Sequence, residues 1–148
     1  MIKEAGFCMY KEEFFNALDS NPDLIGFENG VYDLKHATFR AGYPEDYISM
    51  SVGYNFELSI EYIDEVKTFI HSILPEKDVY RYTLSFMSTC LDAHNYQQKF
   101  LVFTGEGGNG KSLLVNLFEE TMGDYALPLD VGLITQKRQK SNAASDRK

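Results

Sequence analysis

The stretch from Phe100 to Phe118 constrains this chain more than any other, because an apolar run, a glycine-rich octapeptide and a helical stripe follow one another directly. Phe100-Leu-Val-Phe-Thr104 is the kind of five-residue run expected of a parallel strand buried on both faces. Gly105-Glu-Gly-Gly-Asn-Gly-Lys-Ser112 then fits the phosphate-loop pattern G-x-x-x-x-G-K-[ST], with Gly105 and Gly110 at its outer positions. In the residues that follow, Leu113, Leu114, Leu117 and Phe118 have helical spacing, and Gly123 is placed to end the helix. Strand, loop and helix in this order are the context the pattern requires.

Each part of the octapeptide has a physical task. Backbone N–H groups can surround a triphosphate only where the chain curves tightly and no Cβ intervenes, which Gly105, Gly107, Gly108 and Gly110 allow. The first turn of the helix adds free N–H donors and the positive end of its dipole, so the β-phosphate is expected over residues 108 to 112. Lys111 is expected to reach the β- and γ-phosphates as a point charge and is the catalytic candidate. The Ser112 hydroxyl, a hard oxygen ligand, is expected to coordinate Mg²⁺ bridging those phosphates. The expected nucleotide-binding set is thus Gly105, Glu106, Gly107, Gly108, Asn109, Gly110, Lys111, Ser112 and Leu113, with ATP and Mg²⁺ as cofactors.

Composition narrows the classes. The 148 residues are 44% hydrophobic and 24% charged, which excludes a chain disordered throughout and fits one ordinary domain or two small ones. No run reaches the roughly 18 apolar residues of a membrane span, so an intracellular protein with no membrane partner is expected. A net charge of −8 argues against a surface that is wholly a nucleic-acid platform. The charge is uneven, since residues 137–148 hold five basic side chains against Asp146 alone. This short basic segment reads either as a solvated end or as a phosphate contact. Cys8 and Cys90 are far apart and His36, His71 and His94 are scattered, so neither a disulfide framework nor a metal set is suggested, and Cys90 is expected in the core.

Along the rest of the chain, Tyr10, Phe14, Phe15 and Leu18 mark one face of a short helix that Asn21-Pro22-Asp23 breaks. Leu24–Phe27, Glu28-Asn29-Gly30 and Val31–Leu34 predict a β-hairpin in which Asn-Gly supplies positive φ angles. Extended pieces are expected at Thr38–Arg40 and, after a turn at Pro44–Asp46, at Tyr47–Val52. From Ser59, as cap, Ile63, Val66, Phe69, Ile70, Ile73 and Leu74 predict a helix stopped by Pro75. Asp78 is expected to cap a second helix whose core face is Val79, Tyr82, Phe86, Met87, Cys90 and Leu91. The polar loop 92–98 reads as a boundary. The fold class is therefore α/β: an α+β region over 1–95, then over 96–148 the start of a phosphate-loop core.

At this point a family resemblance enters. Gly-Glu-Gly-Gly-Asn-Gly-Lys-Ser, with Asn109 before Gly-Lys-Ser, resembles the Walker A loop of superfamily 3 helicases. Asn21–Leu34, Phe39-Arg40 and Pro44–Ser49 resemble the segment preceding the ATPase domain in poxvirus-type primase-helicases of large DNA viruses and related phages. Gly123-Asp-Tyr-Ala126, Leu133-Ile-Thr135 and Ser141-Asn-Ala-Ala144 are similar to that family too. The resemblance implies a collar-like region at 1–95 and the beginning of an AAA+ motor at 96–148. It implies a complete protein that assembles into a hexameric ring, hydrolyses ATP between neighbours and draws DNA through its channel in host cells. The acidic Walker B pair, the sensor Asn and the neighbour-directed Arg fall in the family beyond the position of Lys148, so the 148 residues alone are not expected to unwind DNA. Two other readings stand beside it, a compact phosphotransferase of the kinase type and a truncated module that docks onto full-length helicase rings.

Overall fold

A computed structural model describes residues 12–94, 96, 98–130 and 132. Helix α1 (Glu12–Ala17) precedes three short strands, β1 (Leu24–Phe27), β2 (Gly30–Asp33) and β3 (Thr38–Arg40), and a 3₁₀ turn at Pro44–Asp46. Helices α2 (Ile63–Ile73), α3 (Lys77–Thr89) and α4 (Lys111–Met122) follow, the last continuing into a 3₁₀ turn at Gly123–Tyr125. The architecture is mixed α/β, with an antiparallel sheet in the order β1-β2-β3.

The expected hairpin forms, with Ile25 opposite Tyr32 and Phe27 opposite Gly30, but its turn works differently. Asn29 does not take a positive φ, and Gly30, at φ 158°, is a nearly extended strand residue. Gly30 is needed because a Cβ there would lie 2.5 Å from the Arg40 carbonyl oxygen and 2.7 Å from the Phe39 ring. Asn29 instead clamps a later segment, accepting from the Phe56 N–H at 2.8 Å and donating to its carbonyl at 3.1 Å. That clamp lays Phe56 on the sheet face that carries Phe27, Tyr32 and Phe39, with a stacked Phe39–Phe56 pair at 4.6 Å.

The segment Tyr47–Val52, expected as a strand, is not one. It follows β1 through the Val52 N–H bond to the Gly26 carbonyl, but the Gly26 N–H is taken by the Tyr125 hydroxyl at 2.9 Å, so no ladder can propagate. Tyr47 at φ 50° also turns the chain out of the extended region. Asp19 anchors this segment. Its carboxylate accepts from the Ser49 hydroxyl and from the N–H groups of Ser49 (2.7 Å) and Met50 (3.3 Å). Burial works against the charge on Asp19, yet those bonds hold its carboxyl below the ordinary range.

The helices depart from expectation at their ends and faces. Ser59 does not cap α2; its hydroxyl accepts the Glu61 N–H at 3.3 Å in a local turn, and the helix starts four residues later after Tyr62. Asp78 sits inside the first turn of α3 rather than at its cap, which is Glu76, and there it complements the dipole. In α3 the buried residue is Thr83, with Tyr80, Leu84 and Met87 packed against the core, while Val79 and Tyr82, and Leu91 beyond the helix end, are exposed. The inward face is therefore rotated from the one the apolar residues mark. Cys90, expected in the core, is exposed by area, although burial still pushes its thiol up; the sulfur sits low against α3, 3.6 Å from the Phe86 carbonyl. The central cluster is Ile70 and Leu74 of α2 with Leu114 of α4.

Residues 100–104 form no strand paired with any described residue. The run alternates instead of being buried on both faces, with Phe100 (83%) and Val102 (70%) exposed and Phe103 packed against the core cluster. Neighbouring strands are what would cover the outer face. Tyr10 of the first predicted helix, Cys8, the basic side chains from Lys137 to Lys148 and the segments 133–135 and 141–144 lie outside the described residues.

Candidate functional site

The octapeptide folds back on itself between the extended run and α4. Gly108 (φ 80°) and Gly110 (φ 78°) take left-handed conformations, and Gly110 is the residue from which α4 starts. Those angles are strained for residues with a Cβ. A Cβ on Gly105 would lie 2.8 Å from the Asn109 side-chain nitrogen and 3.2 Å from Lys111 Nζ, so the two ends of the loop meet there. Lys111 Nζ donates to the Asn109 side-chain oxygen and, at 3.4 Å, to the Glu106 carbonyl.

Glu106, Gly107, Gly108 and Asn109 are exposed, and nothing lies within 4 Å of an added Cβ at Gly107 or Gly108. Ser112 and Leu113 are also exposed, whereas Lys111 is half-buried. The predicted α4 stripe is thus only partly inward: Leu114 is buried, Leu117 and Phe118 are half-buried, and Leu113 faces out at 55%. The first intrahelical bond of α4 runs from the Leu114 N–H to the Gly110 carbonyl at 3.0 Å. The N–H groups of Lys111, Ser112 and Leu113 precede it and remain available at the positive end of a helix whose first turn has no acidic residue. Glycine curvature, open space, free donors and one ammonium make the loop suited to an anion of phosphate type, and the Ser112 hydroxyl beside it is a suitable oxygen ligand for Mg²⁺.

Residues that sequence reasoning did not connect with the loop support it from below and behind. Ile73, the last residue of α2, stands against Gly110: its Cγ1 is 2.9 Å from where a Cβ would be. At the far end of α4, Gly123 (φ 53°) is pressed against the Val52 backbone, where a side chain would collide. Asp124 and Ser51 exchange two bonds of 3.0 Å, and the Tyr54 hydroxyl donates to the Thr121 carbonyl at 2.8 Å. The Tyr125 hydroxyl accepts from the Gly26 N–H and donates to the Met50 carbonyl at 3.1 Å. Burial pushes the Tyr125 hydroxyl's pKa up, with the Gly26 N–H acting in the opposite sense. Ile73 was legible as core from its helical spacing, but nothing in spacing says which loop a core residue touches.

Away from the loop, the histidines serve local structure. His36 pairs with Asp33 at 2.8 Å, His94 with Asp92, and the His71 ring lies 5.6 Å from that of Tyr80. Among the described residues no group of three or more His, Cys, Asp or Glu side chains could hold a metal ion, and no helix is long and apolar enough to cross a membrane.

Comparison with known proteins finds the chain similar to proteins of large DNA viruses that are named as helicases or primases. It is 42% identical over 149 residues to a protein of Acanthamoeba polyphaga mimivirus named "Putative helicase", covering 98% of this chain and 15% of that one. It is 31% identical over 144 residues to a "Putative helicase" of Invertebrate iridescent virus 3, covering 94% of this chain and 15% of the other. A "Putative primase" of African swine fever virus is 26% identical over 153 residues, covering 97% of this chain and 16% of that protein. The chain spans about a sixth of the length of these relatives. Residues 1–98 match the family model described as D5 N terminal like, and with about two thirds of its length inside that match the chain belongs to the D5 N terminal like family.

Proposed function

We propose that residues 105–113 bind the triphosphate of ATP with Mg²⁺, within a complete protein that is a ring-forming superfamily 3 helicase unwinding DNA during viral genome replication inside the host cell. One observation carries the nucleotide reading. Lys111 Nζ rests on two uncharged oxygens, those of Asn109 and Glu106, and among the described residues no carboxylate lies within ion-pair distance of it. An ammonium with no carboxylate partner, beside open space and free helix N–H groups, is a charge arranged for an anion that is not part of the chain.

In this reading the N–H groups of residues 108 to 112 hold the phosphates. Lys111 leaves the Asn109 oxygen for the β- and γ-phosphates, and Ser112 Oγ becomes a ligand of Mg²⁺. The metal supplies neutralisation of the charge that develops on the phosphates. The division into a collar-like part over 1–95 and the beginning of an AAA+ part over 96–148 belongs to the same proposal. The names of the viral relatives support the helicase setting, and the superfamily resemblance of the loop supports the ring. The test is direct binding of a labelled, non-hydrolysable ATP analogue with Mg²⁺ to the 148-residue chain. Lys111→Ala is expected to weaken binding roughly 10- to 150-fold, the value of a charge-assisted bond of about 1.5–3 kcal/mol. Equal binding by both chains would refute the assignment.

A further inference from the structure

We infer that Ile73 is a positioning residue for the phosphate loop, so that the nucleotide site is built partly by the segment matching the D5 N terminal like family; this rests on the nucleotide reading above. The argument starts at Gly110. Its φ of 78° directs the chain from the loop into α4, and the conformation decides where the N–H groups on either side point. A glycine has no side chain with which to hold such an angle, so the neighbouring packing must hold it. The Ile73 side chain does so. Three of its carbons, Cγ1, Cδ1 and Cγ2, stand 2.9, 3.2 and 3.8 Å from the Cβ position of Gly110, closing the space on that side.

Ile73 is itself held firmly. It is the last residue of α2, and the next residue, Leu74, is buried and donates its N–H to the Ile70 carbonyl at 2.9 Å. Ile70 and Leu74 pack on Leu114, one helical turn beyond Gly110. The end of α2 thus grips the start of α4 at two successive points, Leu114 through the core and Gly110 through Ile73. The first fixes the helix; the second fixes the loop that leads into it. Ile73 also packs against that cluster, so removing its side chain thins the packing there. Ile70 and Leu74 still hold Leu114, while the Gly110 hinge loses the side chain nearest its Cβ position.

The experiment compares the 148-residue chain with Ile73→Ala and Ile73→Val. Ile73→Ala is expected to weaken binding of the Mg²⁺-loaded ATP analogue about tenfold or more, and to move the ³¹P resonance of the bound β-phosphate toward its free position. Ile73→Val, which keeps Cγ1 and Cγ2, is expected to restore affinity to within about threefold of wild type. Amide exchange without nucleotide is the second arm. Ile73→Ala should speed exchange of the Leu114 N–H, bonded to the Gly110 carbonyl, more than that of the Leu84 and Met87 amides in α3. Wild-type affinity in Ile73→Ala, or exchange that rises equally in α3 and α4, would overturn the inference. If even the wild-type chain binds no nucleotide, the nucleotide reading fails, and the exchange arm still decides whether Ile73 holds the loop.

Discussion

Tyr125 joins two segments through one oxygen. Its hydroxyl receives the Gly26 N–H at 2.9 Å and gives its own hydrogen to the Met50 carbonyl at 3.1 Å. It thereby satisfies two backbone groups that belong to different segments. Gly26 is buried and Met50 half-buried, so water is a poor substitute for either bond. Removing only the oxygen, as in Tyr125→Phe, leaves both groups without their partner while the ring still fills its place. The expected loss is about 1–3 kcal/mol, the penalty for an unsatisfied buried polar group, measured as a shift in the urea midpoint with an unchanged slope. A change within the ±0.5 kcal/mol usual for surface substitutions would mean that the node is not structural.

Among the elements, the segment 47–52 shows how a single carboxylate can replace a strand ladder. Asp19 accepts from the N–H groups of Ser49 and Met50, and its pKa is held below the ordinary value because those bonds outweigh its burial. The folded-state pKa lies below the unfolded one, so the stabilisation is complete above the unfolded value and is lost as pH falls through the folded value. Acid titration below about pH 4 should therefore shift the Ser49 and Met50 amide resonances together, and Asp19→Asn should abolish that titration; amides that still move in Asp19→Asn would exclude the anchor. Such a segment could not be read from sequence. Tyr47–Val52 has strand-like composition, and what prevents a ladder is a tyrosine 75 residues away from Met50 occupying the Gly26 N–H. The β1–β2 hairpin and α4 were legible because their signals are local: an Asn-Gly pair between two apolar runs, and a glycine at each end of an apolar stripe. The helix faces were less so. Thr83 is buried while Tyr82 is exposed, since inward direction depends on what α2 and α4 present and not on apolarity alone. In the candidate site, the octapeptide was legible residue by residue, whereas Ile73 was not, because its role comes from a contact across 37 positions.

At the scale of the molecule, the question is whether the region before the loop and the region containing it fold as separate units. Two groups of contacts join them. One is the Ser51–Asp124, Tyr54–Thr121 and Tyr125 set at the far end of α4; the other is the Ile70–Leu74–Leu114 cluster at its near end. α4 is therefore pinned at both ends to residues 26–74, while the extended run before it makes no paired strand with the described residues. Leu114, at 1% exposure, is the most deeply buried large side chain described, and its truncation tests the union. Leu114→Ala should cost about 2–5 kcal/mol by lost transfer energy and residual cavity. If the two regions are one cooperative unit, that loss should appear equally in a probe of the sheet, the near-ultraviolet signal of the Phe27–Phe39–Phe56 and Tyr32 rings, and in a probe of the helices, far-ultraviolet ellipticity. Coincident transitions displaced to lower urea are the expected outcome. Should the helical transition move while the aromatic one stays in place, α4 and its core would be an independent unit, and the contacts at its far end would not couple it to the sheet.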